Sequence, residues 1–123
     1  MKRISFKTSK LAHKKGYNVP CTHYYKDNGT YVKMEYGLKV ADCNLAPFQG
    51  ELQEWLRKKN IFVVVHPEAY PNSVNWCVQV LIYNNASYDC WDNKSTALYG
   101  DNGEFKTYEK ALEFGLKMAL KRI

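Results

Sequence analysis

The sequence contains no apolar run of the roughly 20 residues that a membrane-spanning helix requires. Its basic start, Met1-Lys2-Arg3, is not followed by an apolar run of signal-peptide length, so no export signal is expected. Cysteine is sparse as well, with 4 residues that are widely spaced and form no C-x-x-C pair. A chain without an export signal keeps its cysteines as thiols, and we therefore expect a cytoplasmic protein without disulfides or a membrane segment.

Motifs that mark common catalytic and nucleotide-binding sites are missing from the chain. It has no G-x-S-x-G, Walker loop, G-x-G-x-x-G or H-E-x-x-H. Cys21 and His23 fall two residues apart on one face of a predicted strand, which is half of a zinc site. No second close pair completes that site, and Cys43 or Cys90 remains as a distant ligand. Because no nucleophile, base or ligand set is assembled, we expect no enzymatic activity, no cofactor and no metal.

Acidic residues are absent from residues 1–15, and this absence gives the chain its charge. The 12 acidic residues elsewhere balance the basic residues outside this segment, so the formal net charge of +6 belongs to residues 1–15. Residues 5–15 are predicted to form a helix, with Ser5 as N-cap and Gly16 as its stop. A basic stripe suits nucleic acid or an acidic partner, and a solvated face that maintains solubility is the alternative. The side chains of the stripe are Arg3, Lys7, Lys10 and Lys14.

The last segment, residues 107–123, has apolar residues at steps of three and four, the spacing of one helix face. Thr107 is the expected N-cap. Gly115 lowers helix propensity by about 1 kcal/mol relative to alanine, so we expect a sheet to approach closely there. The face combines a ridge of large residues with a groove of small ones: Leu112, Leu116 and Leu120 beside Ala111, Gly115 and Ala119.

Residues 21–36 are predicted to form a β-hairpin rich in tyrosine. A three-residue loop at residues 27–29, with Gly29 in the left-handed conformation, places Tyr25 opposite Tyr31. A two-residue turn at Asn28-Gly29 is the alternative and shifts that register. The tyrosines form either an exposed aromatic surface for a protein partner or cross-strand pairs that stabilise the hairpin. They are Tyr24, Tyr25, Tyr31 and Tyr36.

The middle of the chain predicts a second helix and several strands. Residues 37–46 show no clear periodicity of hydrophobic residues and are predicted to be a loop. Residues 47–59 are predicted to form the helix. Residues 61–65 are an unbroken β-branched and aromatic run, typical of a strand that is covered on both faces or lies at a sheet's centre. Pro67 and Pro71 bracket a predicted loop. The remaining predictions are strands at 74–83, 88–91 and 96–99, with turns at 84–85 and 101–103.

Together these elements predict an α+β fold in a single domain, residues 1–123. An antiparallel β-meander of three or more strands carries two helices, 47–59 and 107–123, on one face. Residues 47–123 form an α-β-β-β-α core, and residues 1–46 add the N-terminal helix and hairpin. The 123 residues, 46% of them hydrophobic, are sufficient for one such core.

Three stretches resemble a family of small proteins from phages and prophages of gut bacteria. They are ISFKTSKLAHKKGY with PCTHYYKDNG, LQEWLRKKNIFVVVHP, and YGDNGEFKTYEKALEFGLKMALKRI. The resemblance covers most of the chain outside residues 32–44 and 84–94, and its motifs are those of a fold. It implies a mobile-element protein that acts in the bacterial cytoplasm, and it implies no particular activity.

The predicted order helix, three antiparallel strands, helix is also similar to that of double-stranded RNA-binding domains. Those domains place lysines at the start of the last helix, over phosphates. The matching positions here are Lys106 and Lys110, with Glu109 between them. The loop after the first strand carries Glu68, where a loop in the minor groove is not expected to have an acid.

Two functions follow from these observations. The first is a non-enzymatic interaction protein that binds a host or phage protein, and the tyrosine-rich hairpin favours it. The second is a nucleic-acid-binding module that uses the N-terminal basic stripe, with or without Lys106 and Lys110. A continuous positive surface that joins both terminal helices would favour nucleic acid, whereas an apolar tyrosine surface would favour a protein partner.

Overall fold

The structure, a computed structural model, describes residues 2–36, 40–83, 95–100 and 105–123, and for Ala41, Tyr70 and residues 95–100 it describes the backbone alone. The α-helices in this part of the chain are α1 (Phe6–Lys14), α2 (Gln49–Arg57) and α3 (Tyr108–Leu120), and Val40–Asp42 form a short 3-10 helix. The strands are β1 (His23–Tyr25), β2 (Tyr31–Lys33), β3 (Asn44–Leu45), β4 (Ile61–Tyr70), β5 (Ser73–Tyr83) and β6 (Ser95–Gly100). The α+β class is confirmed. The strand predicted at 88–91 and the turns at 84–85 and 101–103 lie outside the described residues.

The helix boundaries follow the local chemistry that the sequence indicates. The Ser5 and Thr107 side chains cap α1 and α3 by accepting hydrogen bonds from backbone N–H groups three residues on. Gly16 and Asn60 follow α1 and α2 with positive φ angles of 90° and 62°, which direct the chain out of each helix. Phe48 precedes α2 and makes no side-chain cap hydrogen bond.

The first sheet has the order β2-β1-β3, and all of its pairs are antiparallel. Tyr25 lies opposite Tyr31, and Gly29 adopts a φ angle of +90°, so the three-residue loop is confirmed and the two-residue turn is excluded. The predicted loop at residues 37–46 is wrong at its end, where Asn44 and Leu45 form β3. Leu45 is 2% exposed, and its burial beside β1 fixes a strand too short to show a period.

The second sheet has the order β4-β5-β6 and is also antiparallel. The loop predicted between Pro67 and Pro71 is wrong, because β4 continues through Pro67 to Tyr70 and turns at residues 71–72. The Val63 carbonyl accepts a hydrogen bond from Gln53 at 2.7 Å, and alternate residues along a strand direct their backbone groups to the same side. The missing N–H of Pro67 therefore lies on the side away from β5, where it interrupts no pairing.

The position of β4 also corrects a second prediction for residues 61–65. They were expected to be covered on both faces or central in a sheet, but β4 lies at one end of the described strand order. Its side chains alternate: Ile61 and Val63 are buried, whereas Val64 is 40% exposed. The sequence does not show this alternation of burial, because the residues on both faces of the strand are apolar.

Helix α3 packs on β4 and β5, and Gly115 marks the closest approach. A Cβ atom built on Gly115 would lie 2.5 Å from Val78 Cγ2 and 2.6 Å from Val63 Cγ1, so the predicted groove of small residues is present. The hydrophobic core combines residues of α1, α2 and α3 with residues of the strands and with Ile4, which precedes α1. Its other members include Ala12, Leu45, Leu52, Leu56, Val78, Val80, Leu112, Leu116 and Leu120. Trp55 and Trp76 are partly buried and pack against this core.

Candidate functional site

Helices α1 and α3 run side by side in the same direction. At their N-terminal halves, the Glu113 carboxylate accepts hydrogen bonds from the Ser5 backbone N–H at 3.0 Å, from the Ser5 hydroxyl at 2.8 Å and from the Thr8 hydroxyl. At their C-terminal ends, Lys15 Nζ donates to the Ile123 carbonyl at 2.7 Å. These two connections bring the basic last turns of both helices together.

The result is an open groove of about 610 Å³ with a strongly basic lining. Helix α1 contributes Lys7, Lys10 and Lys14, and α3 with its C-terminal cap contributes Lys117 and Lys121. The other described residues that line the groove are Leu11, His13, Asp27 and Asn44, so Asp27 is the one acidic side chain among the described lining residues. The structure thus joins the two terminal helices in one positive surface.

The groove lysines are poorly neutralised. Among the described residues, Lys7, Lys14, Lys117 and Lys121 make no ion pair and no side-chain hydrogen bond. Lys10 Nζ lies 5.3 Å from the centroid of the Phe6 ring, a cation–π contact that leaves its charge uncompensated. The negative ends of two helix dipoles favour lysines at this position, but they supply only about half a charge each. The groove therefore retains a positive field that an anion can neutralise.

Arg3 does not belong to this groove, although the sequence placed it on the same stripe. Its guanidinium donates to the Ala46 carbonyl at 2.6 Å and to the Thr22 hydroxyl at 2.8 Å, and it lies 4.1 Å above the centroid of the Phe48 ring. These contacts join the segment before α1 to the hairpin and to α2. The side chain of Arg3 is thus engaged in holding the fold together.

Lys106 and Lys110 lie at the other end of α3. Lys106 Nζ donates to Asn75 Oδ1 at 3.4 Å, and Lys110 is exposed in the first turn of the helix. Along the helix axis, Lys110 is about 10 Å from Lys117. Neither Lys106 nor Lys110 is among the residues that line the groove, and α3 with its cap contributes Lys117 and Lys121 there instead. The sequence shows that Lys117 and Lys121 are four residues apart. Near the end of a helix, this pattern indicates only that their positive charges favour the negative end of the helix dipole.

The four predicted tyrosines do not form one surface. Tyr24 packs against the hydrophobic core, whereas its neighbour Tyr25 points to the opposite face of the hairpin. The Tyr25 hydroxyl donates to the Ile4 carbonyl at 2.7 Å, and burial is the main reason that the pKa of Tyr25 is raised. Tyr31 is 46% exposed and Tyr36 is fully exposed.

Cys21 and His23, the two residues of the candidate zinc half-site, contact polar groups of their own segment. Cys21 Sγ donates to the backbone carbonyl of His23 at 3.0 Å, and burial raises the pKa of the Cys21 thiol. His23 Nδ1 lies 2.9 Å from the Thr22 hydroxyl. Within the described ranges, no group of three or more His, Cys, Asp or Glu side chains is placed to hold a metal ion. Cys90 lies outside those ranges.

None of the helices in the described residues has the length and apolar character needed to cross a bilayer.

Comparison with known proteins finds no family model that matches the chain, and no curated protein or solved structure with significant similarity. The similarity to phage proteins and to double-stranded RNA-binding domains stays a prediction. The functional argument consequently depends on the geometry of the basic groove.

Proposed function

We propose that the protein binds nucleic acid through its phosphate backbone, in the groove between α1 and α3. The observation that carries this proposal is the convergence of lysines from two helices that are distant in sequence: Lys7, Lys10, Lys14, Lys117 and Lys121. Phosphates that enter the groove neutralise these charges and release counterions, which is the main source of sequence-independent affinity for nucleic acids. The proposal assumes the predicted arrangement in which helices 47–59 and 107–123 cover one face of the sheet, and it places the protein in the bacterial cytoplasm.

The lysines specify what kind of binding to expect. Lysine ammonium groups act as point charges, and none of the described residues that line the groove is an arginine, the side chain suited to reading base edges. Binding should therefore depend weakly on sequence and strongly on salt. If three to five phosphates are contacted, at about −0.7 each on a single strand and −0.9 each on a duplex, the log–log slope of affinity against salt should be about −2 to −4.5.

The test is a fluorescence-anisotropy titration of labelled oligonucleotides at several salt concentrations. Lys7→Ala, Lys14→Ala, Lys117→Ala and Lys121→Ala should each flatten the slope by about 0.7 to 0.9. Lys58→Ala is the matched control, because Lys58 is an exposed lysine in a separate hollow beside Glu51 and Glu54. It should leave the slope unchanged.

Two outcomes would overturn the proposal. One is the absence of salt-sensitive binding even at about 50 mM salt, where long-range electrostatics are weakly screened. The other is binding that loses as much affinity on Lys58→Ala as on Lys117→Ala, since this would locate the contact outside the groove.

A second function, the binding of a host or phage protein without catalysis, is favoured by the exposure of Tyr31 and Tyr36. Large exposed aromatic side chains are enriched in protein interfaces. Capture of proteins from a bacterial lysate by the wild-type chain, compared with Tyr31→Ser/Tyr36→Ser, tests it. Loss of one specific partner in the variant would support this function, and identical captures would count against it.

A further inference from the structure

Aromatic rings form a continuous row from α1 onto the outer face of the hairpin. The Phe6 and Tyr25 ring centroids are 5.6 Å apart, and those of Tyr25 and Tyr31 are 5.5 Å apart. His23 stacks on Tyr31 with a centroid distance of 4.8 Å and an interplanar angle of 6°. We call these four residues the aromatic row. Direct and diagonal cross-strand pairing accounts for the contacts of Tyr25 and His23 with Tyr31, but not for the extension to Phe6 in α1.

The aromatic row begins at the wall of the basic groove. Phe6 lies beneath Lys10, one of the groove lysines, and Asp27 in the hairpin loop lines the same groove. At the other end, exposed Lys33 lies opposite His23. Positive charge therefore flanks the row at both ends, as expected of a surface that follows a polyanion.

The rings of the row are fixed before any ligand arrives. The Tyr25 hydroxyl bonds to the Ile4 carbonyl, and Phe6 packs against Gly29, where a built Cβ would lie 3.2 Å from Phe6 Cδ2. Tyr31 is held between neighbouring rings yet remains 46% exposed. A ligand that contacts Tyr31 thus meets a preorganised aromatic surface, and little side-chain entropy is lost on binding.

We propose that the aromatic row stacks the bases of a single-stranded nucleic acid whose phosphates lie in the lysine groove. This inference rests on the proposed function and names its substrate class. In a duplex the base faces are stacked on one another and only their edges are accessible, so a ring such as Tyr31 has no base face to contact. A basic groove beside aromatic side chains is the combination by which proteins bind single strands without strong sequence preference.

The dimensions of the groove and of the aromatic row limit the length of nucleic acid that the site can bind. Lys7 and Lys14 are about 10 Å apart along α1, which is enough for two or three phosphates. The row extends the site by the width of the hairpin. A site of about four nucleotides or slightly more fits both parts, at the lower end of the range for single-strand binders.

The experiment compares four labelled probes of equal length, each titrated at the same series of salt concentrations: an oligo-dT, an oligo-rU, a duplex hairpin and an abasic backbone. The wild-type protein should bind both single strands at least about tenfold more tightly than the duplex or the abasic probe. Tyr31→Ala should weaken single-strand binding about 5- to 150-fold, the loss expected for one stacked base. It should leave binding to the abasic probe and the salt slope unchanged, and Tyr31→Phe should retain wild-type affinity. Unequal affinity for the dT and rU probes would identify which nucleic acid the site prefers.

The controls separate this inference from the proposed function. Tyr36→Ala is the matched control, because Tyr36 is fully exposed and lies outside the row. If lysine variants flatten the salt slope while Tyr31→Ala has no effect, or if the duplex is preferred, the stacking proposal is wrong and phosphate binding in the groove stands. If no probe binds, both the stacking proposal and the proposed phosphate binding in the groove are wrong. A loss of abasic binding equal to that of dT binding in Tyr31→Ala would attribute the effect to altered folding and overturn the stacking role.

Discussion

At the scale of single residues, Tyr17 stands out among the described residues because its buried hydroxyl group lacks a hydrogen-bond partner. It is 2% exposed, its ring packs edge-on against Trp55 at a centroid distance of 5.3 Å, and its hydroxyl has no hydrogen-bond partner among the described residues. A buried hydroxyl without a partner costs about 1–3 kcal/mol of stability. We expect Tyr17→Phe to keep the ring packing and to leave the protein equally stable, or up to about 1 kcal/mol more stable, in urea unfolding at pH 7.

The same residue predicts a dependence on pH. Burial, and after it the negative charges of Glu51 and Cys21, raises the pKa of Tyr17 well above its ordinary value near 10. In alkaline solution the unfolded chain therefore loses this proton before the folded chain does. Stability should fall as the pH rises from about 10 towards the higher folded pKa. Tyr17→Phe should show a smaller decrease between pH 9 and pH 11, and parallel curves would show that Tyr17 is not the group responsible.

At the scale of secondary structure, the packing of α3 on the second sheet depends on Gly115. Alanine there gains about 1 kcal/mol in helix propensity, but its Cβ would overlap Val63 and Val78. Because overpacking typically costs about 1–3 kcal/mol and the propensity gain offsets about 1 kcal/mol of it, we expect Gly115→Ala to lower the free energy of unfolding by up to about 2 kcal/mol.

Gly50 in α2 is the matched control for this prediction. A Cβ built on Gly50 has no atom within 4 Å, so Gly50→Ala should show only the gain in propensity. The double variant Gly115→Ala/Val63→Ala should lose less stability than the sum of the two single variants, since Val63→Ala removes one of the overlapping methyl groups. Equal stabilisation by both glycine changes in urea unfolding would contradict the close approach of α3 to the sheet.

Elements set by local chemistry were predictable from the sequence, and elements set by distant contacts were not. Ser5, Gly29 and Thr107 determine their caps and turn by short-range hydrogen bonds and backbone preference. By contrast, β3 exists because Leu45 is buried beside β1, and Pro67 is tolerated in β4 because its missing donor faces away from β5. Both depend on a neighbour that no local pattern reveals.

At the scale of the whole molecule, the same distinction divides the candidate site. The lysines of α1 were predictable as one stripe because helical periodicity alone aligns them. Their convergence with Lys117 and Lys121 was not, because it requires α1 and α3 to pack side by side in the same direction. Arg3 was misplaced for a related reason: it precedes α1, and its contacts with Thr22 and Ala46 are long-range.

Glu113 is the residue on which that packing depends most. Besides Ser5 and Thr8 of the α1 start, its carboxylate accepts a hydrogen bond from Gln49 Nε2 at 3.0 Å, and Gln49 also donates to the Glu109 carbonyl at 3.0 Å. The first turns of α1 and α2 are thereby joined to α3. Thr8 and Gln49 are buried, so removal of the carboxylate leaves polar groups without a partner and without water.

We therefore expect Glu113→Ala to lower the free energy of unfolding by about 2–3 kcal/mol, and Glu113→Gln by less, because the amide retains one acceptor. The effect on binding distinguishes two explanations. Glu113 is an acid near a basic groove, so electrostatics alone predicts that either change strengthens the binding of an oligonucleotide. If Glu113 instead positions α1 beside α3, Glu113→Ala weakens binding even where circular dichroism shows the chain fully folded, and the salt slope becomes flatter because fewer lysines reach the same strand. We expect the second result, and tighter binding by Glu113→Ala at unchanged slope would show that the groove forms without this carboxylate.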